Sequence, residues 1–133
     1  MRAKHCRVCG VCVDRFDHHC IWIDRCVGAG NHRPFLVFVL LVAVNNLVFA
    51  AAAVRARGGM GWFWSTILAG DDAPAGVLFA TLWYNALVGL AMGGLGGYHL
   101  YNAACDRTTN ERLNGHRPRY RPYLQGLGDG KPT

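Results

Sequence analysis

The first thirty-four residues constrain this chain more than anything that follows them. Between His5 and Cys26 lie His5, Cys6, Cys9, Cys12, His18, His19, Cys20 and Cys26, and five of the chain's six cysteines fall in this stretch. Three of them are spaced Cys6-x-x-Cys9-x-x-Cys12. A hydrophobic core does not call for such a density of soft, ionisable side chains. Metal binding and thiol chemistry do. A structural zinc site takes four tetrahedral nitrogen or sulfur ligands, and a Cys-x-x-Cys knuckle supplies two at a fixed bite. Eight candidate ligands would fill two such sites. Gly10, Gly28 and Gly30 permit the tight turns that knuckles use. Residues 1–34 are therefore expected to form a zinc-binding cysteine-rich loop domain with only short regular elements. A domain this small buries little apolar surface, so metal would supply much of its folding free energy, roughly 10 kcal/mol or more per site.

The rest of the chain is dominated by two apolar blocks, which hold most of its 52% hydrophobic residues. Phe35 to Val54 carries no charge and is long enough for a helix across a hydrocarbon core of about 30 Å. Asn45 and Asn46 interrupt it, and interhelical hydrogen bonding is the expected use of two amides at that depth. Val77 to Tyr101 carries no acidic or basic residue except His99. Its Gly89-x-x-x-Gly93 and Gly93-x-x-x-Gly97 patterns predict close approach of another helix. Residues 55–76 between the blocks read as a loop. Gly58, Gly59 and Gly61 break the first helix, Trp62, Phe63 and Trp64 form an interfacial aromatic belt, and Asp71, Asp72 and Pro74 form a polar turn. Residues 102–133 read as a polar, basic tail in which Cys105 is an inert thiol.

Charge sets the topology. Arg2, Lys4, Arg7, Arg15, Arg25 and Arg33 precede the first block, Arg107, Arg112, Arg117, Arg119, Arg121 and Lys131 follow the second, and only Arg55 and Arg57 lie between. The positive-inside rule puts both ends in the cytosol and the 55–76 loop on the lumenal or external side. This accounts for the net charge of +6 without nucleic acid, and it places the cysteines in a reducing compartment. Charge runs through residues 1–34 with no apolar h-region, so a signal peptide is not expected. The fold class is thus membrane α-helical. A cysteine-rich domain (1–34) is followed by a transmembrane helix (35–54), a loop (55–76), a second transmembrane helix (77–101) and a cytosolic tail (102–133).

Asp17, His18 and Cys20 also contain the parts of an activated nucleophile. A thiolate attacks, so a base must lower the thiol's pKa; His18 could take the proton and Asp17 could orient the imidazolium. Chemistry alone leaves Cys20 open as a zinc ligand or as a nucleophile. The run Cys6-x-x-Cys9-x-x-Cys12, Asp17-His18-His19-Cys20, Cys26, Gly28, Asn31 and Phe35 closely resembles the cysteine-rich domain of the DHHC-type protein S-acyltransferases, or palmitoyltransferases. Ile21 stands where the family usually has proline, and Thr108-Thr109-Asn110-Glu111 looks like the family's Thr-Thr-x-Glu motif. The resemblance covers most of residues 2–111.

That resemblance implies transfer of a long-chain fatty acyl group from acyl-CoA to protein cysteines through an acyl-Cys20 intermediate. His18 would be the base and Asp17 its orienter. Cys6, Cys9, His19 and Cys26 would hold one structural zinc, and His5 and Cys12 would belong to a second. The implied partners are acyl-CoA, membrane-associated proteins with cytosolic cysteines and the lipid bilayer of the Golgi, ER or plasma membrane, with no nucleic acid. The second site's other ligands and two further spans would lie upstream, so the chain is expected to be the C-terminal portion of such an enzyme. The competing expectation is a non-catalytic, membrane-anchored zinc module that binds partners or regulates a full-length relative.

Overall fold

The computed structural model describes residues 2–69 and 73–117. Four three-residue strands come first: β1 (Lys4–Cys6), β2 (Val11–Val13), β3 (His18–Cys20) and β4 (Arg25–Val27). They form two separate antiparallel hairpins, β1–β2 and β3–β4. Helices follow: α1 (His32–Ala56), α2 (Met60–Ala69), α3 (Ala73–Ala104) and α4 (Thr109–Asn114). The chain divides into two compact units. One holds the residues up to Leu36 together with those from Tyr98 onward, and the other runs Val37–Gly97.

In the first unit the hairpins are too short to be held by their ladders alone. Their shared core is Cys6, Phe16 and Cys26, with Cys9 and Val13 packed against it and the Lys4 ammonium 4.9 Å above the Phe16 ring. Two of the left-handed residues sit where a hairpin turns, while Arg15 and Asp106 lie in the β2–β3 and α3–α4 connections. Gly10, at φ +67°, closes the first hairpin by donating its N–H to the Cys6 carbonyl, and Asp24, at φ +46°, leads into β4. Gly28 serves close approach instead. A Cβ there would lie 2.6 Å from Val13 Cγ1 and 2.7 Å from the Asp14 carbonyl oxygen. Gly30 has open space around it, so the turn role expected for it finds no steric requirement. α1 begins with Pro34 in its first turn, where the missing amide has no intrahelical partner to lose.

In the second unit α1 and α3 meet along a narrow stripe. Val39, Ala43 and Leu82 are buried, while Val37, Phe38, Leu41, Val44, Val48, Phe49, Val77, Tyr84, Leu87 and Leu90 are exposed. Both helices are long and apolar enough to cross a membrane, and only 17% and 11% of their most apolar windows are buried. A core helix of a soluble protein would bury far more. The close approach uses Gly89, whose added Cβ would meet Leu47 Cγ at 2.8 Å, and Gly96, whose Cβ would meet Leu40 Cδ2 at 2.7 Å. Gly93 and Gly97, the other members of the small-xxx-small patterns, face open space. The stripe therefore repeats every seven residues, two helical turns, and not every four. Asn46 donates to the Val42 carbonyl of its own helix (2.8 Å), so its amide is satisfied within α1 and not between helices.

The 55–76 segment is not a continuous loop. Gly58 and Gly59, at φ +100° and +75°, end α1. Gly61 lies inside α2, and α3 has already begun at Ala73. The Arg57 guanidinium stands over the Trp62 ring at 5.2 Å. Asp71, Asp72 and the tail residues Arg119, Arg121 and Lys131 lie outside the described residues.

Because Gly28 abuts a backbone carbonyl that cannot rotate away, Gly28→Ala is expected to destabilise the first unit by about 1–3 kcal/mol. Gly30→Ala should be neutral. Thermal unfolding of both variants in detergent would test this, and equal midpoints would refute the steric account.

Candidate metal centre and reactive cysteine

Strand alternation sorts the opening cluster. Successive side chains of a strand point to opposite faces. In β3 this sends His19 one way and His18 and Cys20 the other. His19 lies directly across from Cys26 in the ladder, so these two share a face. The same rule separates His5 from Cys6 in β1, and His5 lies directly across from Cys12.

On one side Cys6, Cys9, His19 and Cys26 come together, their ligand atoms all within 4.8 Å of one another. His19 Nδ1 is 3.9 Å from Cys6 Sγ, 3.3 Å from Cys9 Sγ and 3.8 Å from Cys26 Sγ, and Cys9 Sγ and Cys26 Sγ are 3.4 Å apart. A tetrahedral ion with bonds of 2.0–2.3 Å to nitrogen and sulfur has edges of about 3.6–3.8 Å. The donor set and its spacing thus fit one four-coordinate metal ion. The electrostatics agree. Burial and the neighbouring thiols of Cys6 and Cys9 push the Cys26 thiol up to about 12, because several thiolates cannot crowd together without a cation among them. The Cys6 thiol is shifted the other way, chiefly by the Cys9 backbone N–H. His5 Nδ1 and Cys12 Sγ form a separate, exposed pair 3.7 Å apart.

On the other side, His18 Nδ1 lies 2.7 Å from Asp17 Oδ2. Asp17 is buried, and its other oxygen accepts the Thr109 backbone N–H at 2.7 Å. Burial works against the Asp17 charge, but the His18 and Thr109 hydrogen bonds outweigh it and hold the carboxyl below its usual range. The contact with Asp17 raises the pKa of His18. Cys20 is buried, which opposes ionisation, yet His18 and the backbone N–H groups of Trp22 and Ile23 bring its thiol below the ordinary value. Asp17 is hydrogen-bonded to His18, and His18 in turn favours the ionised form of Cys20, the parts of a system that can activate a nucleophile.

The Thr109 amide is placed by a helix cap. Thr108 is the N-cap of α4: its hydroxyl accepts the Glu111 N–H (3.2 Å), and its own N–H donates to Glu111 Oε2 (2.8 Å). Glu111 is 2% exposed and is met by a two-pronged Arg2 guanidinium at 2.8 and 2.9 Å. Arg2 and Arg15 both pair with Asp106, and Lys4 donates to Asn110 Oδ1 (2.8 Å). Arg2, Thr109 and Glu111 thus join the network around Asp17, although the sequence pointed only to a Thr-Thr-x-Glu motif and to Arg2 as a topology-setting charge. The signal was present, since Thr-x-x-Glu ahead of a helix is a capping box. His99 was also passed over, although an ionisable side chain in an apolar span marks a functional site by default. It is buried and lies 3.8 Å from Asp17 Oδ2, with its ring 5.5 Å from that of His18 and 5.2 Å from that of Phe35.

A DHHC palmitoyltransferase family model matches residues 1–116. The chain is 35% identical over 134 residues to human palmitoyltransferase ZDHHC14, covering 94% of this chain and 26% of that protein. It is 38% identical over 119 residues to human palmitoyltransferase ZDHHC18, covering 86% and 29%, and 35% identical over 137 residues to palmitoyltransferase erf2 of Emericella nidulans, covering 94% and 22%. The chain belongs to the DHHC palmitoyltransferase family. It spans about a quarter of the length of the curated relatives it matches.

Glu111→Ala would take from the Arg2 guanidinium its buried partner, leaving the Asp106 contact, and would strand the Thr108 amide. Losing one partner of a buried charged pair is expected to cost about 3–5 kcal/mol, with a smaller loss for Glu111→Gln. Unfolding midpoints measured by intrinsic fluorescence would show it, and unchanged midpoints would contradict the assignment.

Proposed function

We propose that this chain carries the acyl-transfer centre of a protein S-palmitoyltransferase. A long-chain fatty acyl group passes from acyl-CoA to Cys20, and from Cys20 to a cysteine of a membrane-associated protein. The observation that carries this reading is the line from Asp17 through His18 to Cys20, held on the opposite face of β3 from His19.

Asp17 engages His18 through Nδ1, which leaves Nε2 to take the Cys20 proton. The thiolate forms a bond to the thioester carbonyl carbon. The carbon–sulfur bond to coenzyme A breaks, and the departing thiolate recovers the proton from His18. In the second half His18 takes the proton of the substrate thiol. That sulfur attacks the Cys20 thioester, and Cys20 leaves as the thiol, reprotonated by His18. Asp17 stays ionised throughout and stabilises the imidazolium. Its second oxygen is fixed by Thr109, so the carboxylate cannot swing off the ring.

Cys6, Cys9, His19 and Cys26 hold a structural zinc. Four protein ligands leave no open position for water activation. His5 and Cys12 supply two donors of a second zinc site. α1 and α3 cross the membrane with both ends of the chain in the cytosol and the intervening segment on the lumenal or external side, a reading supported by the distribution of Lys and Arg.

Incubation with labelled palmitoyl-CoA should place a hydroxylamine-sensitive label on the chain. Cys20→Ala should abolish it, His18→Ala should slow labelling by about 10²–10⁴-fold, and Cys9→Ser should lower bound zinc. Label persisting on Cys20→Ala would sink the proposed role of Cys20.

A further inference from the structure

The side of β3 that carries the acid–base line contains a second cluster of metal-binding atoms, separate from the four-donor cluster. Asp17, His18 and His99 each offer one ligand atom, all within 4.8 Å of one another. His18 Nδ1 lies 2.7 Å from Asp17 Oδ2, and His99 Nδ1 lies 3.8 Å from the same oxygen. The independent observation is at His99. Its side chain is 3% exposed, and its Nδ1 is buried with no hydrogen-bond partner among the described residues. Buried polar atoms are nearly always satisfied, and each exception calls for an explanation. With the ring proton on Nε2, Nδ1 presents a lone pair toward the Asp17 carboxylate.

We propose that Asp17, His18 and His99 form an inhibitory site for a divalent cation of the zinc type. The proposal rests on the acyl-transfer reading for its effect, but the site stands on its own geometry. A zinc ion bound to two imidazoles and a carboxylate at 2.0–2.2 Å has ligand edges of about 3.3 Å. The 2.7 Å contact must open, and the 3.8 Å contact must close, by about half an ångström each. A water would complete the coordination. His18 is the accessible member, with 28% of its side chain exposed, and a cavity of about 590 Å³ reaches Asp17 between Arg15, His32 and Thr108.

The consequence follows from imidazole chemistry. A neutral ring has one proton and one free nitrogen lone pair. Metal on Nδ1 takes the lone pair at that nitrogen, so the ring's single proton moves from Nδ1, by exchange with solvent, to Nε2. Nε2 then has no lone pair to receive the Cys20 proton, and Cys20 cannot be activated. The inhibition is reversible, because chelation of the ion restores the Asp17–His18 hydrogen bond. Selectivity over the resident metal arises from position, since His19 and Cys26 face the other way.

The test uses the purified chain in detergent, loaded with its resident metal, with Cys12→Ser introduced so that the exposed His5–Cys12 pair cannot take a second ion. Zinc is then titrated while bound metal and palmitoyl labelling are both read. A second equivalent should bind, and labelling should fall as it does. His99→Phe should bind only the resident equivalent, and its half-inhibitory zinc concentration should rise by at least about 10–100-fold. His99→Gln provides the same comparison with a smaller change of shape, and retention of one resident metal verifies that each variant folds. Loss of the second equivalent in the His99 variants supports the site whether or not label is transferred; absence of label defeats only the acyl-transfer reading. Failure of the parent chain to bind a second ion, or second-ion binding that His99→Phe and Asp17→Asn leave intact, overturns the site. Second-ion binding without loss of labelling overturns the inhibitory role.

Discussion

The four-donor cluster of Cys6, Cys9, His19 and Cys26 is the constraint on which the rest of the first unit depends. Its donors come from β1, from the turn after β1, from β3 and from β4, so it ties one hairpin to the other. Each strand has only three residues, and the apolar core beside the donors is Phe16 and little else. Neither hairpin buries enough surface to hold its neighbour in register. A metal ion at this cluster would supply the missing free energy and neutralise the thiols among which that of Cys26 is pushed up. It would also fix β3 in space, and β3 carries His18 and Cys20 on its other face. One short strand thereby couples a structural demand to a chemical one.

A second constraint acts from the far end of the chain. Asp17 is buried beside His18, and a buried carboxylate must be fully hydrogen-bonded to stay ionised. Thr109 meets that need with a backbone amide, which the Thr108–Glu111 capping box holds in place. Glu111 is itself a buried charge satisfied by Arg2, so residues more than a hundred apart close one polar network. Removing Arg2 would leave the buried Glu111 carboxylate without its charged partner, which makes that pair costly to break. That arrangement holds the Asp17 carboxylate, and with it the His18 ring, in a fixed orientation.

Much of this was legible in the residues. The ligand density of residues 5–26 pointed to metal, and uncharged runs of membrane-spanning length pointed to two long helices. Other features were hidden because their meaning depends on neighbours in space. Gly89-x-x-x-Gly93 looked like a packing motif, yet Gly89 and Gly96 make the close approach, because the face that α1 meets is set by the crossing of the two helices. Asn46 looked like an interhelical bond and instead turns back on its own helix. The segment after Gly59 looked like a loop because its aromatics suited an interface, but the same residues are compatible with a helix, and α2 forms.

By itself the sequence determined the inventory: which side chains could bind metal, which stretches were apolar enough to span a bilayer, and which three neighbouring residues held the parts of a nucleophilic system. It left Cys20 undecided between ligand and nucleophile, because adjacency in sequence does not say which way a side chain points. The tertiary structure supplies the geometry that bears on that choice. The pleat of β3 separates His19 from His18 and Cys20, the cross-strand register sets His19 against Cys26, and the cap of α4 brings a distant amide to Asp17. His99 acquires its place for the same reason. Burial beside Asp17 and His18 is a property of packing, and a linear pattern cannot express it.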